Sequence, residues 1–288
     1  MTRASRSSPY RQLPGGATLY ATDEGDGQAL LFVHGWTCDS SDYLWQVAWF
    51  RSTHRVIAPD LRGHGRSAVP ADGYDSQIFA RDLAELLDAL AVPHCIAIGH
   101  SLGALVVSIL AADYPERVRG VVCLDPAYGL DDEELASCHA LTERLRAPDW
   151  PVVLADAFGT WEWASTPAYF RELHVRRMLA MDRAVVVETF RGLFDGNRPL
   201  TGRTQSAALL ARRTCPVLSL HSLGGRARAA WESAYCSSPS SLVLHLPLGH
   251  WPHHDAPELV NHVITQWLLT LPPSSTPFPT RTTQWPHS

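Results

Sequence analysis

The run IGHSLGA, residues 98–104, constrains this chain more than any other stretch. The apolar CIAIGH before it (95–100) reads as a strand, and LGALVVSILAADY after it (102–114) reads as a helix. Between them, Gly99-His100-Ser101-Leu102-Gly103 has the GxSxG form of a sharp strand-to-helix turn, a nucleophile elbow. Such a turn forces the serine backbone into a strained conformation, so its neighbours must be small. Gly99 and Gly103 give that room. The turn also lifts the Ser101 hydroxyl out of the sheet and aims the first helix amide, that of Leu102, at a reacting oxygen.

The rest of the chain suits this unit. Short apolar runs ALLFVHG (29–35), HRVIAPD (54–60), VRGVVCLD (118–125), CPVLSLH (215–221) and SLVLHLP (241–247) alternate with helical patterns. That alternation predicts an α/β fold with a mostly parallel central sheet flanked by helices. A weaker pair, near 18–22 and just before it, predicts an antiparallel start. Helices are expected over 76–90, 102–114, 226–235 and 257–269. With 288 residues and 45% hydrophobic content, there is material for one large domain, or a core with an insertion.

Between Tyr128 and Arg213 the alternation stops, and the segment turns helical and rich in Trp, Arg and Glu. This divides the chain into a core (1–127 and 214–270), a helical insertion (128–213) and a Pro/Ser/Thr-rich tail (271–288) expected to be disordered. An insertion between parallel strands sits by default over their carboxyl ends, where ligands bind. The segment therefore reads as a cap, or else as an extra helical layer with no part in binding.

Composition excludes several classes of function. A net charge of −5 leaves no electrostatic footprint for nucleic acid or an anionic membrane. All 24 Lys-plus-Arg positions are Arg, which excludes a Schiff-base lysine and pyridoxal phosphate chemistry. The six cysteines are scattered without a CxxC pair, and the amino-terminal residues lack a signal peptide's apolar core. Reduced thiols and a cytoplasmic location are the expectation. No metal, nucleotide or flavin motif is present, so no cofactor is expected. The partner is a small-molecule substrate, and a homodimer stays open.

HGW (34–36), DLRGHGRS (60–67), GHSLGA (99–104), LDPAYG (124–129) and GHWPHHD (249–255), in that order, resemble the α/β-hydrolase superfamily of the kind with a helical cap. The resemblance runs from about residue 20 to 269. It implies a catalytic histidine after the last strand, a place held by His250, which would take the proton of Ser101. It also implies an oxyanion hole from the backbone amides of Trp36 and Leu102. Trp36 can equally be a wall residue of the pocket. A metal site at His250, His253 and His254 is the rival reading, set aside because no second set of ligands stands out elsewhere. His253 and His254 read as loop and helix-start residues, and Asp255 as an N-cap of the last helix.

The triad's acid is displaced. Its usual family position lies a few residues past CPVLSLH, where HSLGGRARAAWES holds no acid before Glu232. Asp125, ending the strand after the nucleophile helix, is the substitute, since a triad needs only a carboxylate at the histidine's far nitrogen. The alternative is that Asp125 merely starts a turn before Pro126. The relocated acid is similar to the pattern of zearalenone-type lactonases, cofactor-free ring-cleaving dioxygenases and esterase-like hydrolases of secondary metabolism. These resemblances imply a serine hydrolase for an ester or lactone of a bulky, largely apolar molecule. Cap aromatics Trp161 and Trp163, with Trp36 and Tyr128, would bind it. Three alternatives stay open: a cofactor-free dioxygenase, a non-hydrolytic lyase or cyclase, and a ligand-binding receptor. Against the dioxygenase, Leu102 stands where those enzymes have a histidine.

Overall fold

The structure, a computed structural model, describes residues 8–164, 166–195 and 199–272. The tail expected to be disordered lies outside the described residues apart from Leu271 and Pro272. Eight strands form one sheet: β1 (Tyr10–Gln12), β2 (Thr18–Glu24), β3 (Ala29–Val33), β4 (Arg55–Pro59), β5 (Cys95–His100), β6 (Val118–Leu124), β7 (Val217–His221) and β8 (Leu242–His245). Their order is β1-β2-β4-β3-β5-β6-β7-β8. The first two strands pair antiparallel, as the sequence predicts, and β2 meets β4 antiparallel. Every later pairing is parallel.

Eleven helices are described: α1 (Leu44–Phe50), α2 (Ser76–Ala89), α3 (Leu102–Asp113), α4 (Asp132–Arg144), α5 (Trp150–Trp161), α6 (Ala168–Ala180), α7 (Arg183–Phe194), α8 (Arg203–Leu210), α9 (Arg226–Glu232), α10 (Pro252–Asp255) and α11 (Pro257–Leu268). Helices cover both faces of the sheet, which is why its central strands read as unbroken apolar runs. Along β3, Leu31 and Val33 join the core that contains α2 and α3. Leu30 and Phe32, pointing the other way, join the core that contains Val47 of α1 and Val260 and Ile264 of α11. Ten of the twelve residues of α3 are buried, so the helix behind the elbow is apolar nearly all round.

Helices α4 to α8 fall between β6 and β7. The insert starts cleanly because Asp131 and Glu134 form a reciprocal capping box at α4. Its two ends are drawn together by a bridge between Leu130 and Gly202. Two short elements carried no readable signal. In α1, LWQVAWF shows no polar face, and it leaves Leu44, Trp45 and Trp49 exposed. The four-residue α10 is too short to show a period.

Candidate active site

Ser101 sits between β5 and α3 with φ 52° and ψ −115°, a left-handed conformation that a non-glycine residue holds only under strain. The flanking glycines are required by contact. A Cβ on Gly99 would stand 2.2 Å from the Gly103 carbonyl oxygen, and one on Gly103 would stand 2.1 Å from that of Val33. The elbow is anchored from beneath, as the Ser101 amide donates to the Leu124 carbonyl at 3.0 Å.

His250, in the turn between β8 and α10, faces Ser101 with Nε2 3.1 Å from Oγ. Its Nδ1 lies 2.5 Å from Oδ2 of Asp125. A carboxylate can only accept, so Nδ1 carries the proton and Nε2 is left to accept from the Ser101 hydroxyl. The other oxygen of Asp125 accepts from the Ser222 amide at 2.9 Å. Ser222 follows β7, the very segment where the usual acid is missing. Burial pushes the Asp125 carboxyl up. The His250 bond and charge, the Arg228 guanidinium and the Ser222 amide more than reverse this, and it stays ionised well below the ordinary carboxylate range.

The His250 backbone is held on both sides. Its carbonyl accepts from Nε2 of buried His100 at 2.7 Å, and its amide donates to the Trp161 carbonyl at 3.1 Å. Asp255 does not cap α11, whose N-cap position is Ala256. Its carboxylate turns back instead, accepting from the Gly249 amide at 2.7 Å and the Thr166 hydroxyl at 2.6 Å. The acid is spent on tying the histidine's turn to the insert.

The serine opens into a cavity of about 730 Å³. Trp36, Trp161, Trp163, Phe190 and Leu193 give it apolar walls, and Arg144 and Arg228 stand among its polar ones. Trp36 follows β3 directly. Its indole N–H donates to the Val186 carbonyl of α7 at 3.0 Å, and its ring packs on Phe190 with centroids 4.3 Å apart. The Trp161 ring meets that of His250 edge-on at 5.7 Å. Leu102 is the first residue of α3, so its amide is one of the donors a helix start leaves free.

Tyr128 is not at the cavity. It is fully buried, and its hydroxyl donates to Oε1 of Glu232 at 2.6 Å. Glu232 also accepts from Arg213 at 3.0 Å, Ser219 at 2.7 Å and His221 at 2.8 Å. This network joins β7 to α9. The reason is the chain's path. After Asp125 the backbone dives through Pro126 and Ala127, which line the cavity, and the next side chain points inward. His253 and His254 lie in the short α10 and are likewise buried, at 0% and 8% exposure. The cysteines of the described residues are all free thiols.

Comparison with known proteins agrees with this fold. A model of the alpha/beta hydrolase fold matches residues 28–155. A thermophilic esterase from Thermogutta terrifontis superposes over 90% of this chain and 97% of its own, with a TM-score of 0.78 and 26% identity. The chain has the α/β-hydrolase fold. It also shares this fold with the enol-lactonase from Burkholderia xenovorans, with a TM-score of 0.76, 18% identity, and coverage of 91% of this chain and 100% of that one. Among curated sequences, the 2-(acetamidomethylene)succinate hydrolase of Mesorhizobium japonicum is 38% identical over 126 residues, 44% of this chain. That match spans 45% of the relative's length, so under half of it is covered. No helix among the described residues is long and apolar enough to cross a membrane.

Proposed function

We propose that this chain is a serine hydrolase that opens an ester or lactone of a bulky, largely apolar small molecule through an acyl-enzyme. The observation that carries this reading is the continuous relay of Ser101, His250 and Asp125, at 3.1 and 2.5 Å. His250 takes the Ser101 proton as Oγ attacks the carbonyl carbon, and Asp125 stabilises the imidazolium that forms. The amides of Trp36 and Leu102 receive the oxyanion. The imidazolium then protonates the leaving alkoxide, and the acyl group stays on Ser101. Water, deprotonated by His250, attacks the acyl carbon and releases the acid. The insert, residues 128–213, acts as the cap, with Trp161 and Trp163 as the aromatic wall toward the substrate. Phe170, buried at 1% exposure, packs on His174 of the insert and on Trp251 and His254 of the core rather than lining the cavity.

A second reading of the substrate comes from the two guanidinium groups at the cavity. They stand beside Glu134, Asp156 and Glu162, and Arg228 pairs with Glu134 at 3.5 Å, so Arg144 is the group that suits a substrate carrying a carboxylate beside its scissile group. The Mesorhizobium relative is named for an acetamido succinate, a substrate of that kind. The test is a fluorophosphonate probe read by intact mass. One adduct on the wild type and none on Ser101→Ala is expected, followed by turnover of an ester and lactone panel with and without carboxylates. A folded wild type that takes no adduct overturns the acyl-enzyme.

A further inference from the structure

Behind the histidine turn, away from the cavity, three separate segments converge. Cys38 and Asp42 come from the loop between β3 and α1, His174 from α6 of the insert, and His253 and His254 from α10. The ligand atoms of Cys38, Asp42 and His174 lie within 4.8 Å of one another, as do those of Asp42, His253 and His254. All five side chains are buried, with exposures of 2%, 0%, 1%, 0% and 8% in chain order. The second set of ligands that the sequence does not display is supplied by the fold.

We propose that Cys38, Asp42, His174 and His254 form a buried site for a divalent, borderline-soft transition ion of the zinc class, clamping the insert to the core.

The chemistry of the donors selects the ion. A thiol, a carboxylate and two imidazoles suit zinc or cobalt, whereas calcium and magnesium require oxygen shells. The polar atoms point to a ligand as well. Among the described residues, both ring nitrogens of His174, Nε2 of His254 and Oδ2 of Asp42 have no hydrogen-bond partner. Buried polar atoms are normally satisfied, and each one left without a partner is unfavourable. An ion bound at these atoms removes several such penalties together.

Charge permits the ion. Arg177 forms an ion pair with Asp42 and lies 3.4 Å from Asp39. A divalent ion plus Arg177 is balanced by Asp39, Asp42 and a Cys38 thiolate. Nε2 of His254 already faces Asp42 at 3.8 Å. With metal–sulfur bonds of about 2.3 Å and metal–nitrogen bonds of about 2.0–2.1 Å, tetrahedral ligands sit within about 3.6 Å of each other. Within each triplet the widest pair must therefore close by about 1 Å, and His254 must swing toward Cys38 and His174 about the shared Asp42.

The test is a cobalt(II) titration of the untagged, chelator-treated full chain, followed by absorption. One equivalent should bind, with the visible bands of four-coordinate cobalt and a near-ultraviolet thiolate-to-cobalt band. Cys38→Ser should keep the visible bands and lose the thiolate band, although five other cysteines remain. His174→Gln should weaken binding at least tenfold. Zinc should raise the melting temperature of the wild type but not of a folded His174→Gln. Ser101→Ala should bind cobalt like the wild type, so the outcome does not depend on the hydrolase reading. No binding at micromolar cobalt, or a thiolate band that persists in Cys38→Ser, overturns the proposal and leaves the cluster as packed neutral histidines.

Discussion

Replacing Asp125 by Asn tests whether the displaced carboxylate does the work of the missing acid. When His250 accepts the Ser101 proton, an imidazolium forms whose Nδ1 lies 2.5 Å from Asp125 Oδ2. Two unit charges with centres about 4 Å apart attract by about 4 kcal/mol at an effective dielectric of about 20. Removing that attraction slows attack about a thousandfold, at about 1.4 kcal/mol per decade. Asn also offers an N–H toward Nδ1, which moves the ring proton to Nε2 and blocks acceptance from Ser101. The combined loss should approach the roughly 10⁴-fold fall of an Asp-to-Asn change in a serine triad. Asn can still accept from the Ser222 amide, so the melting temperature should move little. The assay is the second-order rate of fluorophosphonate labelling by intact mass, with ester turnover beside it. A rate within tenfold of the wild type, in a folded variant, refutes the role given to Asp125.

Three more outcomes follow from the structure. Because Ser101 holds φ 52°, Ser101→Gly should relieve strain that Ser101→Ala retains. Both should be inactive, and the glycine variant should melt about 2–4 °C higher, as for a gain of about 1 kcal/mol; equal melting points count against the strained elbow. Tyr128→Phe loses a buried hydrogen bond and should cost about 1–2 kcal/mol in urea unfolding, with kcat/KM unchanged within twofold. A large change in kcat/KM would restore Tyr128 to the substrate. Burial pushes the Glu232 carboxyl up, but the bond from His221 and the charge of Arg213 outweigh it and hold it at about 2, below the usual 4.5. The group is depressed on folding, so its stabilisation is complete above about pH 4.5. It is lost as pH falls from there toward 2, by roughly 3 kcal/mol in all. Glu232→Gln, itself destabilised by about 3–5 kcal/mol, should show the shallower acid limb in melting, and parallel limbs would refute this.

What the sequence discloses follows the range of the forces involved. The elbow and the strands are legible because a glycine contact or a β-sheet's burial leaves its mark within a few residues. Val121–Leu124, for example, reads as one apolar run because both faces of that strand are covered. Asp125 is legible by topology, since β5 and β6 are parallel neighbours in register from Gly99–Cys123 to His100–Leu124, which sets residue 125 beside the serine. Tyr128 is misread because its aromatic ring says nothing about direction. Its partners, Arg213 and Glu232, lie 85 and 104 residues away, beyond any local pattern. Asp255 reads as a cap because Asp before Pro257 fits one, yet its carboxylate is taken by Gly249 and Thr166. The buried pairing of Asp42 with Arg177 crosses 135 residues, and nothing in CDSSDY announces it.

The insert has its fingers on both sides of the reacting bond. Its Trp161 carbonyl holds the amide of His250, and its Val186 carbonyl holds the indole of Trp36. The proposed base and the proposed oxyanion donor are thus latched to a layer that is not part of the sheet. An outward swing of an ångström or two unfastens both in one movement. The two hydrogen bonds therefore make an interlock: any displacement of that layer would act on the base and on the Trp36 ring together.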